Sequence, residues 1–134
     1  MKANPPDFRE LTRFAKQARR RAHAPFSRFL VGAALRVRGG EIVTGCNIEN
    51  ASYGLTICAE RVAVFKAVSE GLRRFDAIAV VADSKHLTPP CGPCRQILWE
   101  FCGDIWVHLS GLDRRTRTFR LSELLPFPFD ARHL

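Results

Sequence analysis

Apolar and polar positions alternate along the first third of the chain with two different periods. Near the N-terminus they recur at helical spacing, which predicts a helix that ends before Pro25. Its apolar positions are Phe8, Leu11, Ala15, Ala18 and Ala22. Residues 30–37 and 41–47 then read as two strands on either side of Gly39 and Gly40, which predicts a β-hairpin.

The rest of the chain alternates buried helices with short apolar strands. The predicted elements are a helix over 58–70, a strand over 77–83, a helix from Cys94 onward, a strand over 105–109, an edge strand over 116–121 and a short helix at SELLP. The order α-β-β-α-β-α-β-β-α predicts a layered α/β fold, in which helices cover both faces of a mixed sheet.

Composition places the chain among ordinary globular proteins. Its 134 residues suffice for one domain, expected over 1–134, and 46% are hydrophobic while 25% are charged. No apolar run has the length of a membrane span, and the first residues have no apolar signal-peptide core. Five cysteines form an odd set, which favours metal or catalytic use in a reducing compartment over a disulfide framework. We therefore expect a cytoplasmic protein without a membrane partner.

The net charge of +8 raises the question of a nucleic-acid partner. It comes from 21 basic and 13 acidic residues. The basic residues are spread over several short clusters, and no basic helix face interleaved with aromatic residues stands out. These residues are therefore interpreted as an ordinary solvated surface, and nucleic acid is not the expected partner. A polynucleotide partner stays open as the alternative. The sequence does not explain why the surface is rich in arginine.

The segment TPPCGPCRQ (88–96) contains a Cys-x-x-Cys pair, Cys91 and Cys94, that fits either a redox dithiol or a metal site. A thioredoxin-like domain carries its pair early, with most of the fold still to come. Only 40 residues follow Cys94 here. Metal binding is therefore the favoured interpretation.

A third sulfur ligand stands upstream at Cys58, which opens one predicted helix as Cys91 and Cys94 open the next. If these helices lie side by side, the three sulfurs can surround one ion. Three protein ligands with an open fourth position are typical of a catalytic zinc, and helix N-termini stabilise thiolates. His86 is the nearest candidate for a fourth ligand, but an exposed loop histidine is the favoured interpretation.

Glu60 stands two positions after Cys58, in the first turn of the predicted helix. A first-turn glutamate is common for electrostatic reasons alone. Beside an open zinc site, however, its carboxylate can transfer protons without binding the metal. The pattern C-x-E…P-C-x-x-C is the three-cysteine form of the sequence typical of zinc-dependent deaminases.

Four longer blocks show that the chain resembles the small, homotetrameric cytidine deaminases. They are PFSRFLVGAAL (25–35), GCNIENASYGLTICAERVAVFKAVSEG (45–71), PPCGPCRQ (89–96) and ELLP with the aromatic residues up to 129. The resemblance implies a three-layer α-β-α fold with a mixed five-stranded sheet. It also implies one Zn²⁺ per subunit and hydrolytic deamination of cytidine and 2′-deoxycytidine in pyrimidine salvage.

The resemblance also implies roles for individual residues. Cys58, Cys91 and Cys94 are the expected zinc ligands and Glu60 the expected proton-transfer group. The expected substrate contacts are Asn47 and Glu49 on the ribose, Phe29 on the base or sugar, the Ala59 backbone on the pyrimidine, Tyr53 as a weaker contact, and Phe129 reaching into a neighbouring subunit's site. Asn47 and Glu49 lie two apart on an extended segment, so their side chains point the same way.

Two arginines follow zinc cysteines directly, Arg61 and Arg95, and are expected to donate hydrogen bonds to sulfur. Such bonds would offset the excess negative charge of three thiolates around the metal. Pro89 departs from the family pattern, which often has serine there. Because proline cannot donate a hydrogen bond, the loop before the dithiol is expected to be held in a different way.

Three alternatives stay open beside cytidine deamination. The enzyme could deaminate cytosine in a polynucleotide, or act on a blasticidin-type nucleoside antibiotic. The chain could also be a non-catalytic zinc module that only binds partners. The Asn47 and Glu49 pair favours free cytidine over a polynucleotide, and together with Arg61 it favours cytidine over a blasticidin-type substrate. Glu60 and the absence of an obvious fourth ligand speak against a binding module.

Overall fold

A computed structural model describes residues 4–134, in which five strands lie between helices on both faces. The helices are α1 (Arg9–Arg19), α2 (Ala59–Ser69), α3 (Gly92–Cys102) and α4 (Leu121–Leu124). The strands are β1 (Val31–Val37), β2 (Ile42–Cys46), β3 (Phe75–Ala82), β4 (Trp106–Ser110) and β5 (Thr116–Arg120). The predicted order of helices and strands is confirmed, and two short 3₁₀ turns, Tyr53–Leu55 and Ala131–His133, were not predicted.

The sheet has the strand order β2-β1-β3-β4-β5 and is mixed, as predicted. β1 is antiparallel to both β2 and β3, β3 and β4 are parallel, and β5 is antiparallel to β4 at the edge. The parallel pair is joined through α3, because parallel neighbours need a crossover connection. The hairpin turn uses Gly39 and Gly40, both at φ 109°, a backbone conformation that favours glycine.

Two apolar clusters, one on each face of the sheet, make the fold three-layered. On one face α1 buries Leu11 and Ala15 against Ala34 and Ala79 of the central strands. On the other face α2 and α3 pack on the sheet through a larger cluster that includes Val64. The outer surface of α1 is therefore on the opposite side of the sheet from α2 and α3.

Helix α2 approaches the sheet so closely that β2 requires glycine at position 45. A Cβ atom placed on Gly45 would lie 2.5 Å from the Ala59 carbonyl oxygen and 2.6 Å from the Ala63 nitrogen. Real Cβ contacts are never that short, so a side chain here would push α2 away. The close approach fixes the position of the first turn of α2, which contains Glu60.

The loops before and after the hairpin are tied into one unit. His23 donates its backbone N–H to the Asn47 carbonyl at 2.9 Å, and Glu49 donates its own to the His23 carbonyl at 2.8 Å. Ile48 and Ile57 exchange two backbone hydrogen bonds of 2.9 and 3.0 Å. These bonds hold the segment after β2 beside the start of α2. Within residues 4–134, no helix has the length and apolar character needed to cross a bilayer.

Candidate zinc and active site

Three cysteine sulfurs converge where α2 and α3 begin. Cys58 is the residue that caps the N-terminus of α2, Cys91 caps that of α3, and Cys94 lies one turn into α3. The Sγ atoms of Cys58 and Cys91 are 3.8 Å apart, those of Cys91 and Cys94 are 3.3 Å apart, and all three lie within 4.8 Å of one another. The two helices contact each other, as the sequence analysis required.

The donor set fits zinc. A tetrahedral ion with zinc–sulfur bonds of about 2.3 Å places its sulfur ligands about 3.8 Å apart, which agrees with the Cys58 and Cys91 pair. Soft thiolates also select zinc over the hard cations. Among the residues that the structure describes, these three cysteines are the one group of His, Cys, Asp or Glu side chains close enough together to hold an ion. His86 does not belong to this group, and three protein ligands are the number typical of a catalytic zinc.

The sulfurs need a cation in order to ionise together. A hydrogen bond from Cys94, assisted by the Arg61 guanidinium, lowers the pKa of Cys58 to about 5. The same hydrogen bond and burial raise the pKa of Cys94 above its ordinary range, because its proton holds the Cys58 thiolate. A divalent ion would replace that proton and let Cys94 ionise.

Glu60 lies in the first turn of α2 with only 4% of its surface exposed. Burial is the main influence on its carboxyl group and raises its pKa to about 7. A carboxyl group with a pKa near neutrality can both accept and donate a proton at physiological pH. The helix therefore places a buried carboxyl group suited to proton transfer two residues after the expected metal ligand Cys58.

The two arginines differ in their contacts. Arg61 Nη2 donates to the Cys58 sulfur at 3.3 Å, the type of bond expected for both arginines. Arg95 instead donates from Nε to the Pro90 carbonyl at 2.7 Å and from Nη1 to the Leu124 carbonyl at 2.8 Å. Arg95 thus ties the residue before Cys91 to the C-terminal segment. The expected guanidinium–sulfur bond is replaced, at this position, by an anchor for the loop.

That anchor shows how the loop around Pro89 is held. Pro90 is fully buried and its carbonyl accepts the Arg95 bond, while Pro89 is exposed and forms part of the wall of the pocket described next. Upstream, the hydroxyl groups of Ser84 and Thr88 are hydrogen-bonded at 3.1 Å. The loop is therefore held from both sides of Pro89, and none of these bonds needs a donor at position 89.

A pocket of about 200 Å³ opens beside the cysteines. It brings together four residues that the sequence analysis singled out for chemistry or substrate contact and two of the three expected zinc ligands. Its lining consists of Phe29, Val31, Asn47, Thr56, Ile57, Cys58, Ala59, Glu60, Thr88, Pro89 and Cys91. Thr56 and Thr88 were missed, because a single threonine between motifs carries no sequence signal of its own.

Asn47 and Glu49 are both engaged with the backbone of the loop before β1. Asn47 accepts from the Val31 N–H at 2.9 Å and donates to the Phe29 carbonyl at 2.7 Å, and it is buried. Glu49 Oε1 accepts from the N–H groups of Phe26 and Ser27 at 2.9 and 3.1 Å, and Oε2 accepts from the Ser27 hydroxyl. The hydroxyl bond is the largest of the influences that lower the pKa of Glu49.

A second, larger groove of about 390 Å³ adjoins this pocket and shares Thr56 with it. Glu49 and Tyr53 lie along the groove together with Phe26 and Ser27, which the sequence analysis did not single out. The Phe26 and Tyr53 rings meet edge to face with centroids 6.0 Å apart. Tyr53 is 76% exposed, so one of its faces is free within a single chain.

Phe129 lies apart from the pocket of its own chain and is not among the residues that line it. Its carbonyl accepts from Gln96 Nε2 at 2.8 Å, and the next residue, Asp130, accepts from Trp99 Nε1 at 3.0 Å. The Phe129 ring stacks on His133 at 5.2 Å and stays 59% exposed. The C-terminal segment is therefore fixed on α3 with an aromatic ring facing outward.

The remaining two cysteines, Cys46 and Cys102, lie outside the metal cluster. Both are partly buried, and all five cysteines of the chain are free. Burial raises the pKa of Cys102 to about 12, which leaves its thiol protonated and unreactive.

Known proteins that are similar to this chain over most of its length are cytidine deaminases. A family model described as the cytidine and deoxycytidylate deaminase zinc-binding region matches residues 7–109. A cytidine deaminase of Halalkalibacterium halodurans is 54% identical over 93% of this chain and 96% of its own length. One of Sporosarcina psychrophila is 47% identical over 96% of this chain and 95% of its own length.

Solved structures extend this similarity to three dimensions. The crystal structure of cytidine deaminase from Burkholderia pseudomallei matches with a TM-score of 0.88 and 44% identity, over 92% of this chain and 100% of that one. The prediction of a zinc-dependent deaminase with a mixed five-stranded sheet is confirmed. The family model covers most of the chain, and the curated relatives match it over nearly their whole length. The chain therefore belongs to the cytidine and deoxycytidylate deaminase family.

Proposed function

We propose that the protein hydrolyses the 4-amino group of free cytidine and 2′-deoxycytidine, giving uridine or 2′-deoxyuridine and ammonia. One observation carries the proposal. A single pocket of about 200 Å³ holds the Glu60 carboxyl group, the Cys58 and Cys91 sulfurs and the Phe29 ring. A proton-transfer group, a metal cluster and an aromatic wall in one small cavity suit addition of water to a flat heterocycle.

Cys58, Cys91 and Cys94 would hold the zinc ion, which supplies the Lewis acid that lowers the pKa of water. Glu60 accepts a proton from the attacking water and delivers it to ring N3. The water oxygen forms a bond to C4, and the C4–N4 bond then breaks. Glu60 passes the second water proton to the departing amino group, so that ammonia leaves and the carboxylate is restored. A pKa of about 7 suits both directions of transfer.

The substrate's two parts match the two neighbouring cavities. The smaller pocket, between Phe29 and the Ala59 backbone, suits the pyrimidine ring. The larger groove, with Glu49 and Tyr53, suits the sugar, and Thr56 marks the junction. Asn47 Nδ2 retains a second N–H, and Glu49 Oε2, which accepts only from the Ser27 hydroxyl, retains acceptor capacity for a sugar hydroxyl.

We further propose that the active unit is a homotetramer in which Phe129 of one subunit reaches the pocket of a neighbour. Its ring is 59% exposed although its backbone is fixed by Gln96. Phe127 nearby is 95% exposed. Two large apolar rings on an anchored segment are suited to burial against another subunit. Sedimentation of Phe129→Ala beside the unaltered protein tests assembly, and the KM of each tests the contribution to the site.

Pyrimidine salvage in the cytoplasm is the proposed setting. Five free cysteines, three of them grouped as a metal site, suit a reducing compartment.

The test of the reaction is to follow the loss of cytidine absorbance with zinc-loaded protein and with Glu60→Gln. We expect the variant to keep its zinc and its fold and to lose activity by at least about 10²–10⁴-fold, because the proton relay is absent. Zinc content is measured in parallel. Inactivity of the zinc-loaded, unaltered protein toward both nucleosides would rule the proposed function out.

The same assay distinguishes the alternatives. A blasticidin-type nucleoside and a cytosine-containing oligonucleotide are supplied in place of cytidine, at equal concentration. Faster turnover of either one, measured as kcat/KM, would replace the nucleoside proposal by that alternative. Zinc binding without turnover of any of them would indicate a binding module.

A further inference from the structure

Helix α1 carries a straight row of cations along its solvent-facing side. Arg9, Arg13, Lys16 and Arg20 are spaced by four, three and four residues, and all four are exposed. Residues at this spacing lie on one side of a helix. At 1.5 Å per residue, successive charges are about 4.5–6 Å apart along the helix axis. This basic row is not used by the deaminase site.

The segment that carries the basic row accounts for half of the net charge of the chain. Six basic and two acidic residues between Asp7 and Arg21 give +4, half of the +8 of the whole sequence. Arg9 is paired with Asp7 at 2.7 Å. Arg13, Lys16 and Arg20 have no ion pair within residues 4–134, so their charges are available to a partner.

A polar recess of about 240 Å³ lies beside the basic row. It is lined by Phe14, Gln17, Ala18, Arg21 and Thr44. The Arg13 guanidinium lies 5.0 Å from the centre of the Phe14 ring, which connects the row to the recess. The Gln17 amide and the Arg21 guanidinium offer a heterocyclic base hydrogen-bond partners, and the Arg13 guanidinium over the Phe14 ring offers it a flat surface for stacking.

We propose that α1 binds single-stranded nucleic acid, with backbone phosphates along the basic row and a base in the recess. The spacing of the cations is close to that of successive phosphates on an extended strand. Guanidinium groups bind phosphate oxygens in pairs, which suits this contact. The surface lies on the other side of the sheet from α2 and α3, so the strand is bound without entering the nucleoside pocket.

An anionic membrane surface is the competing polyanion, and the structure favours it less. Helices that lie in a membrane interface insert large apolar side chains. None of the exposed large apolar side chains of residues 4–134 belongs to α1, and the Leu11 side chain of α1 is buried against the sheet.

The test measures binding of a fluorescent oligothymidylate of about 12 nucleotides by anisotropy, using the full-length, zinc-loaded protein. The oligomer lacks cytosine and cannot be turned over. R13Q/K16Q/R20Q is expected to raise the Kd at least about 10-fold and to reduce the slope of log K against log salt by about 2. Cytidine turnover should be unchanged. The matched control, R38Q/K66Q/R74Q, removes the same charges from exposed positions off α1 and should leave the Kd within about twofold.

The recess is tested separately with Gln17→Ala, which keeps the charge of the basic row. We expect it to weaken binding of the single strand by several-fold and to leave binding of a duplex of equal length unchanged. Equal loss of affinity in the two triple variants would overturn the proposal, since it would show that net charge alone is responsible. Binding to vesicles containing phosphatidylserine, without binding to the oligonucleotide, would overturn it in favour of a membrane.

Discussion

Arg61 Nη2 lies 3.3 Å from the Cys58 sulfur, one turn along the same helix. Glu60 stands between them in the sequence, so the expected metal ligand, the proposed proton-transfer group and a counter-charge share a single turn of α2. The Nε atom of Arg61 is buried and has no hydrogen-bond partner among the described residues. The side chain is therefore held in this position mainly by its bond to sulfur and by packing.

Replacing Arg61 with glutamine should weaken zinc binding by about 10–100-fold, because the Cys58 thiolate loses its positively charged donor. Competition with a chromophoric chelator measures the affinity directly. Lys66→Gln, at an exposed position on the same helix, is the control and should leave the affinity unchanged. Equal affinities in Arg61→Gln and the unaltered protein would show that the guanidinium does not stabilise the metal ligand.

Gly45→Ala should destabilise the fold by about 1–3 kcal/mol, since its Cβ would meet the first turn of α2. The same displacement should move Glu60 and reduce cytidine turnover. Thermal unfolding and kcat report the two effects. Gly54→Ala is the matched control, because a Cβ there has no neighbour within 4 Å. A Gly45→Ala protein with unaltered stability and turnover would show that α2 can shift without consequence.

The zinc site could be predicted from the sequence because each of its parts is local. Cys58 and Glu60 occupy one helix start and Cys91 and Cys94 the next, and a helix start fixes direction as well as position. The one long-range requirement was that two consecutive helices on one face of a sheet are neighbours. Layered α/β folds make that arrangement common.

Contacts that depend on tertiary structure were not predictable in the same way. Arg95 follows its cysteine just as Arg61 does, yet its guanidinium reaches the Leu124 carbonyl, 29 residues away in sequence. The bonds from Glu49 to Ser27 likewise depend on how two loops meet. The basic row on α1 was overlooked for a different reason, since its residues are evenly spaced and do not form a cluster in the linear sequence.

Glu49 holds the Phe26–Ser27 backbone and is also the proposed sugar contact, and one variant can separate these roles. Glu49→Gln keeps an acceptor oxygen for the loop but loses the charge. We expect the KM for cytidine to rise about 10-fold with little change in kcat, since the variant loses a charged acceptor for a sugar hydroxyl. With 2′,3′-dideoxycytidine, which lacks both ring hydroxyls, the two proteins should have similar KM values. An equal rise in KM for both substrates would indicate a role in the loop alone.

His108 gives the fold a pH dependence that is separate from the metal site. It lies on β4, stacks on Phe8 with centroids 4.5 Å apart, and has Nδ1 2.8 Å from the Thr118 hydroxyl. Burial lowers its pKa below the ordinary 6.5. The unfolded chain therefore takes up a proton at His108 more readily than the folded protein does. Asp7 and Arg9 face the same cavity beside His108, paired with each other.

The sign of this effect follows from linkage. Stability contributed by neutral His108 is fully present above about pH 6.5 and is lost as the pH falls through its lower folded pKa. His108→Gln cannot titrate, so its free energy of unfolding should fall less than that of the unaltered protein between neutral and acidic pH. Denaturant unfolding across that range measures the difference. His86→Gln, at an exposed loop position, should follow the unaltered protein, and parallel pH profiles for all three would contradict a role for His108.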